Sequence, residues 1–388
     1  MAVGREGARK RTVLVAHPGA ELYGSDRVML ESVSGFVDDG WQVVTTLPHG
    51  GPLVAELESR GTGVAFVPTP VLRKSALRPR GAVRLIRDTV AGTVQGLRLL
   101  RRTRPQAVYV STVTIPLWSL LGRLTGRPVL VHVHEAEGSA SALTRRVLAF
   151  PLLLASGLVV NSSFSVDVLR RSISRLTRRA TVVYNGVPGP TELVPPRDAL
   201  TGPVRLVYVG RLSPRKGVDV AVEAVRLLVA DGCPATLDVV GAVFPGYEWY
   251  QEQLRTQIAD GGLQESVRLC GFHPDVWSYL ATNDVALVPS RVDEPFGNTA
   301  VEAVLAARPV VVSATSGLRE AAAGYASAQY VTPGDPRALA DAVLAVRDRW
   351  SEFRDAAVAD AGTAARRHSP EGYRGQVAEL LGALTATR

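Results

Sequence analysis

Residues 12–47 read TVLVAHPGAELYGSDRVMLESVSGFVDDGWQVVTTL, and the order of patterns within them decides the fold class. The runs at 12–16 and 42–47 are short and rich in valine and threonine, as strands are. Between them Val28, Met29, Val33 and Phe36 recur at helical spacing. Strand, helix and strand in that order predict a parallel pair with the helix laid across it.

The same rhythm continues through runs at 64–67, 107–111, 129–134, 157–161 and 181–184, with a long basic helical stretch at 81–102. After Asn185-Gly186-Val187 the chain turns to breakers: Pro188-Gly189-Pro190, Pro195-Pro196 and Gly202-Pro203. Alternation then restarts at 204–209, 235–240, 267–269, 285–289, 309–313 and 329–332. A chain of 388 residues also exceeds what one core usually holds, roughly 250–300 residues. The expectation is α/β: two Rossmann-like, doubly wound domains at 1–190 and 203–365, joined by a linker at 191–202. Ligands of such folds sit outside the carboxyl ends of the strands, which places the predicted site in a cleft between the two halves.

Hydrophobic residues make up 46% of the chain and charged residues 21%, a globular balance that excludes a disordered or low-complexity protein. The two cysteines, Cys233 and Cys270, stand in apolar stretches without metal-ligand spacing and are expected to be buried thiols. The first eleven residues carry four basic side chains, but the apolar run at 13–16 is too short for a signal-peptide core. The longest mostly apolar stretch, 147–160, is broken by Pro151 and Gly157 and falls short of the ~20 residues a spanning helix needs. A cytoplasmic protein is expected, placed at the inner face of the membrane if its basic segment acts as follows.

The net charge of +8 is unevenly shared, since residues 1–198 hold 26 Lys/Arg against 14 Asp/Glu and the remainder 18 against 22. Between Arg73 and Arg104, ten basic residues face one acid, Asp88. This is either a solvated helix face or a peripheral contact with anionic lipid head groups. Nucleic acid is disfavoured because no aromatic residues interleave with the arginines.

Two stretches carry chemistry. Residues 293–302, DEPFGNTAVE, run from the end of a strand through Gly297 into a helix starting at Asn298 or Thr299. A helix start offers unpaired N–H donors and a positive dipole end to sugar or phosphate oxygens. Glu294 and Glu302 flank it and can act on one ligand, although glutamates also suit any first turn and exposed helix face. Residues 209–217, VGRLSPRKG, form the loop after the second half's first strand, where phosphate sits in Rossmann-like folds. Arg211 and Lys216 put a guanidinium fork and a point charge there, two fixed cations able to hold a diphosphate and stabilise it as it leaves. No DxD-like acidic pair stands at a strand end, so no metal and no cofactor are expected.

The pairing of GR-x4-KG (Gly210 to Gly217) with E-P-F-G-N-T-x2-E (Glu294 to Glu302) resembles the retaining family-four glycosyltransferases of the GT-B fold. The likeness extends to Leu22-Tyr23-Gly24-Ser25-Asp26-Arg27, similar to the family's glycine-rich first loop, and to Tyr184-Asn185-Gly186-Val187 before the linker. The resemblance implies that Arg211 and Lys216 bind the donor diphosphate and Glu302 the ribose hydroxyls. It gives the transferred sugar to Glu294 with the backbone of Phe296, Gly297 and Asn298, beside Thr299. Gly24 and Ser25 would approach the phosphates from the other domain. A histidine near the donor sugar is implied as well; His132 and His134 are the candidates, and His134, at the strand's carboxyl end before an acid, is preferred. His273 falls in a segment that approaches the nucleotide base in the family, while His17, His49 and His368 are expected to be solvent-facing or structural. The helix at about 369–388, with Tyr373, Val377, Leu380 and Leu381 on one face, would cross back to complete the first domain. Tyr23 departs from the family's usual glycine, which leaves the acceptor side least defined.

The implied reaction is metal-independent hexosyl transfer from a nucleotide-diphosphate sugar, a co-substrate rather than a cofactor, to a hydroxyl of a glycan, lipid-linked saccharide or small-molecule glycoside. Such activity belongs with polysaccharide biosynthesis. The acceptor would attack from the leaving-group face and a phosphate oxygen would take its proton, so no dedicated base is needed. The alternatives are a nucleotide-sugar epimerase or phosphorylase, a nucleotide-sugar-binding GT-B protein without turnover, and a membrane-surface protein whose basic segment is its function.

Overall fold

The valine-rich runs become strands in a computed structural model that describes residues 11–386 except 23, 73–78, 136–137, 139–140 and 245, and only the backbone of 79–82 and 84. Tyr23, Arg73, Lys74 and Arg78, and the side chains of Arg80 and Arg84, therefore lie outside the described residues. Contacts divide the chain into two compact units, Met1–Gly186 with Pro370–Arg388, and Val187–Ser369.

The first unit holds β1 (Thr12–Ala16), β2 (Gln42–Leu47), β3 (Gly63–Phe66), β4 (Ala107–Val110), β5 (Val129–Val133), β6 (Gly157–Val160) and β7 (Ala180–Val182). They form one sheet in the order β3-β2-β1-β4-β5-β6-β7, parallel throughout. Every residue of β1, β4 and β5 is buried, as expected of parallel strands covered on both faces. One core lies under the helices Gly24–Asp38 and Pro370–Ala386, and the other under Pro79–Thr103 and Pro116–Leu124. Each fully buried Val or Leu there contributes about 1.5–3 kcal/mol.

The terminal helix Pro370–Ala386 is seated on Gly24–Asp38 by Tyr373, Val377, Ala378 and Leu381 and by an Arg374–Glu31 ion pair of 2.7 Å. Tyr373 reaches further: its hydroxyl lies 2.6 Å from Ser32 Oγ, which lies 2.9 Å from the Tyr109 hydroxyl, itself 2.7 Å from His132 Nδ1. Burial pushes both tyrosine hydroxyls above their ordinary pKa, so the network stays uncharged.

The second unit holds β8 (Val204–Val209), β9 (Ala235–Val240), β10 (Val267–Gly271), β11 (Val285–Val288), β12 (Val310–Ser313) and β13 (Ala328–Val331). Their order is β10-β9-β8-β11-β12-β13, again parallel. Residues 191–202 pack within this unit. Arg197 forks onto the buried Asp284 at 2.8 and 2.6 Å, and Trp350 Nε1 donates to Arg197 O at 3.0 Å.

Arg308 is buried and donates to the carbonyls of Leu280 and Asn283 at 2.8 Å, Ala281 at 2.6 Å, Ala306 at 3.0 Å and Val194 at 3.1 Å. One guanidinium thereby satisfies carbonyls at the ends of the helices Trp277–Thr282 and Asn298–Leu305. Burial lowers its pKa to about 10, which leaves it charged at neutral pH. Cys233 is buried, but Cys270 is only half-buried, because it sits on the outermost strand β10; the expectation of two buried thiols is corrected there.

Candidate functional site

In the second unit β8 and β11 are neighbours, with Tyr208 beside Leu287 in register, so the loops leaving their carboxyl ends emerge side by side. The strand order reverses at β8, which pairs β9 on one edge and β11 on the other, and such a switch point opens a crevice for ligands. Residues 210–217 and 289–297 are those two loops.

Backbone contact makes them one surface. Gly217 has φ +67°, and a β-carbon there would come within 2.0 Å of Pro289 O, so only glycine permits this approach. Arg291 N donates to Arg215 O at 2.8 Å, and the Arg291 guanidinium pairs with Asp219 in the first turn of the helix Val218–Ala230.

Lys216 and Glu294 meet across this seam. Lys216 Nζ lies 2.8 Å from Glu294 Oε1 and donates to Oε2 at 2.9 Å, while Ser290 Oγ donates to Oε1 at 2.7 Å. Glu294 is thus aimed by its neighbours before any ligand arrives. Lys216 keeps 34% of its side chain exposed against 13% for the carboxylate, so the ammonium is the group open to an incoming anion.

Arg211 stands exposed on the same loop with its guanidinium carbon 3.5 Å from the centre of the Phe244 ring. Its carbonyl accepts from the buried Tyr208 hydroxyl at 2.9 Å. Burial first, and then the nearby Glu294 carboxylate, push that hydroxyl's pKa well up, so Tyr208 remains a neutral donor.

Past Glu294, the Phe296 ring is buried and lies 5.6 Å from that of His368. Gly297 follows at φ +127°, where a β-carbon would strike Leu318 Cδ2 at 2.4 Å. The helix Asn298–Leu305 begins there with no side-chain cap among the described residues. Asn298, Thr299 and Glu302 are partly exposed along it. Asp293 holds the preceding turn by accepting from Ser316 Oγ at 2.8 Å. His273 is tied by Nε2 to Cys270 O at 3.0 Å and to the Tyr279 hydroxyl at 2.9 Å.

In the first unit β1 and β4 are likewise adjacent, and the residues after them touch: His17 Nδ1 lies 2.6 Å from Ser111 Oγ. His17 Nε2 lies 2.9 Å from Asp26 Oδ1, and Gly24 and Ser25, both exposed, open the helix that carries Asp26. His17 is therefore buried and structural. Ser290, Asp293, Tyr208 and Phe244 were not singled out in the sequence; the signal available for Ser290 was its place at the end of β11, four residues before Glu294.

His132 and His134 project to the same side of β5, ring centres 3.8 Å apart. His132 is fully buried and tied to Tyr109, whereas His134 is half-buried just past the strand end. Neither Nε2 has a partner among the described residues. Burial lowers the pKa of His134 to about 3, helped by His17 and opposed by Asp26, so it is a neutral imidazole in the fold. Glu135, raised by burial, accepts from Thr112 Oγ1.

Residues 23–188 fit the family model for Glycosyltransferase Family 4, and residues 203–348 the model for Glycosyl transferases group 1. The chain belongs to glycosyltransferase family 4. This family-4 chain is 36% identical over 155 residues to the amylovoran biosynthesis glycosyltransferase AmsK of Erwinia amylovora. That match covers 38% of the chain and 37% of AmsK, little more than a third of the relative's length. Over 337 residues it is 28% identical to the 2-deoxystreptamine glucosyltransferase of Streptomyces kanamyceticus, covering 79% of this chain and 84% of that one. Among solved structures, Anabaena Alr3699/HepE in complex with UDP and glucose shares the fold at TM-score 0.81 and 21% identity, over 97% of this family-4 chain and 100% of its own. Among the described residues no three His, Cys, Asp or Glu side chains gather as a metal site would need.

Proposed function

We propose that the chain transfers a hexosyl group from a nucleoside-diphosphate sugar to an acceptor hydroxyl, with retention of anomeric configuration and without a metal ion. The observation that carries this reading is the Lys216–Glu294 pair, which joins a phosphate-type loop to a sugar-type loop at one strand edge. A donor entering there exchanges partners with the pair. Its diphosphate takes Lys216 and Arg211, and its sugar hydroxyls take Glu294 and the backbone of Phe296, Gly297 and Asn298, beside Thr299. Glu302 takes the ribose diol.

In the transfer the bond between the anomeric carbon and the diphosphate oxygen breaks, and the acceptor oxygen bonds the same face of that carbon. The acceptor's proton passes to the departing phosphate, whose growing charge Arg211 and Lys216 stabilise. Glu294 positions the sugar; held by Lys216 and Ser290, it is not placed as a free nucleophile. HepE's complexes with UDP and UDP-glucose make a uridine donor the first to try. The reading places the enzyme in the cytoplasm, acting in glycan assembly.

Turnover of nucleotide sugars in the presence of EDTA, with the product's anomeric configuration read by proton NMR, tests this proposal. Cleavage of one donor with retention is expected; an inverted product, or activity abolished by EDTA, contradicts it.

A further inference from the structure

The first unit carries an apolar surface that its own fold does not use. The helix Pro79–Thr103 turns Gly92, Gly96, Leu99 and Leu100 inward. Val83, Ile86, Val90 and Val94, spaced by three, four and four residues, form a second stripe on the opposite side, exposed by 70, 66, 61 and 45%. Arg87, Arg98, Arg101 and Arg102 are exposed beside it.

Neighbouring elements of the same helical layer expose further apolar side chains. Pro116–Leu124 packs against Pro79–Thr103 and exposes Leu120 and Leu124. The turn Phe150–Leu154 packs on Pro116–Leu124 and extends the helix Ala142–Ala149; the helix exposes Leu143 and Val147, and the turn exposes Phe150. Of nineteen large hydrophobic side chains exposed among the described residues, nine lie on this one layer, which singles it out from scattered surface apolar groups. Arg123 and Arg146 accompany them, both exposed.

We propose that this layer is a docking surface for an anionic phospholipid bilayer, in which the apolar stripes enter the interface and the arginines meet the head groups. A long helix with an apolar stripe, flanking arginines and low mean hydropathy lies in a membrane surface rather than across it. Among the described residues no helix is long and apolar enough to cross a membrane. A second copy of the chain fits this face less well, because a two-fold contact would bring its arginines onto arginines. The excess of 26 basic over 14 acidic residues in 1–198 suits an anionic partner of large area.

The test is co-flotation of the full chain, without nucleotide sugar, with vesicles of phosphatidylglycerol in phosphatidylcholine and with phosphatidylcholine alone. The chain is expected to float with the anionic vesicles only. Ile86→Asp with Val90→Asp, and separately Leu143→Asp with Val147→Asp, should each weaken this at least about tenfold while the melting temperature holds. Arg87→Glu with Arg98→Glu should weaken it comparably. Absence of binding to anionic vesicles, or binding that all three variants retain, overturns the proposal. So does a dimer that Ile86→Asp with Val90→Asp dissociates while vesicle binding is unchanged, since a second copy then covers the face. Donor binding is read separately, so failure here leaves the transferase reading standing.

Discussion

Lys216 Nζ and Glu294 Oε1 stand 2.8 Å apart, although 78 residues separate them in the chain. The pairing of β8 with β11 brings them together: two adjacent parallel strands release their loops at one edge, and a lysine on one loop meets a glutamate on the other. The pair joins the two stretches, legible separately in the sequence, at one strand edge.

Glu294→Gln keeps the shape of this site and removes the charge that holds Lys216. Nucleoside diphosphate affinity should change less than about threefold, since the phosphate ligands remain, while kcat for transfer falls by about a hundredfold or more through lost sugar positioning. Ser290→Ala, which loses only the 2.7 Å bond, should cost about 1 kcal/mol in kcat/KM. Steady-state kinetics with calorimetry on both variants separates the two effects.

Gly217→Ala forces a β-carbon towards Pro289 O at 2.0 Å from a backbone at φ +67°. A loss of about 2–4 kcal/mol is expected in the second unit, from strain and from separation of the two loops. Chemical denaturation measures it, and nucleotide affinity should fall in parallel.

Arg308→Met removes the donor to carbonyls of Leu280, Ala281, Asn283, Ala306 and Val194. Leaving several buried acceptors unpaired should cost about 3–5 kcal/mol in the same unit. Thermal melting should show that unit unfolding early and the transition of the first unit unmoved.

His132 and His134 are held neutral by burial, with folded pKa values well below the ordinary 6.5, that of His134 at about 3. Below pH 6.5 the unfolded chain therefore binds more protons than the folded one. Stability is complete above that pH and declines as the pH falls towards the folded values, by about 1.4 kcal/mol per pH unit for each group. His134→Asn should make the decline of the first unit between pH 6 and 4 shallower than in the wild type, as read by urea titrations at both pH values.

The fold was legible because parallel strands buried on both faces read as short valine runs separated by helical periods, and β1, β5 and β8 fall where those runs stand. The loops at 210–217 and 289–297 stood out because glycine, lysine and glutamate recur there at the ends of strands, but only the pairing of β8 with β11 brings Lys216 and Glu294 together. Arg308 was not legible: Ala306-Ala307-Arg308-Pro309 reads as a helix end with a solvated base, and only the meeting of two helix ends and the 191–202 segment shows what the guanidinium serves. For His17, expected to be solvent-facing or structural, the structure decides for the structural role, because Ser111 is brought to it by the pairing of β1 with β4. The outer stripe of Pro79–Thr103 was hidden among arginines until the inward face, marked by Gly92 and Gly96, was fixed.

The central claim, that Lys216 and Arg211 form a diphosphate site facing Glu294, is tested most directly by calorimetry. UDP, GDP, ADP and TDP are titrated without metal into the wild type, Lys216→Ala and Arg211→Ala. The account predicts that one of the four binds the wild type and that each variant binds it at least about tenfold more weakly, as loss of a charge-assisted contact requires. Failure of all four to bind, or equal binding by the variants, would contradict it.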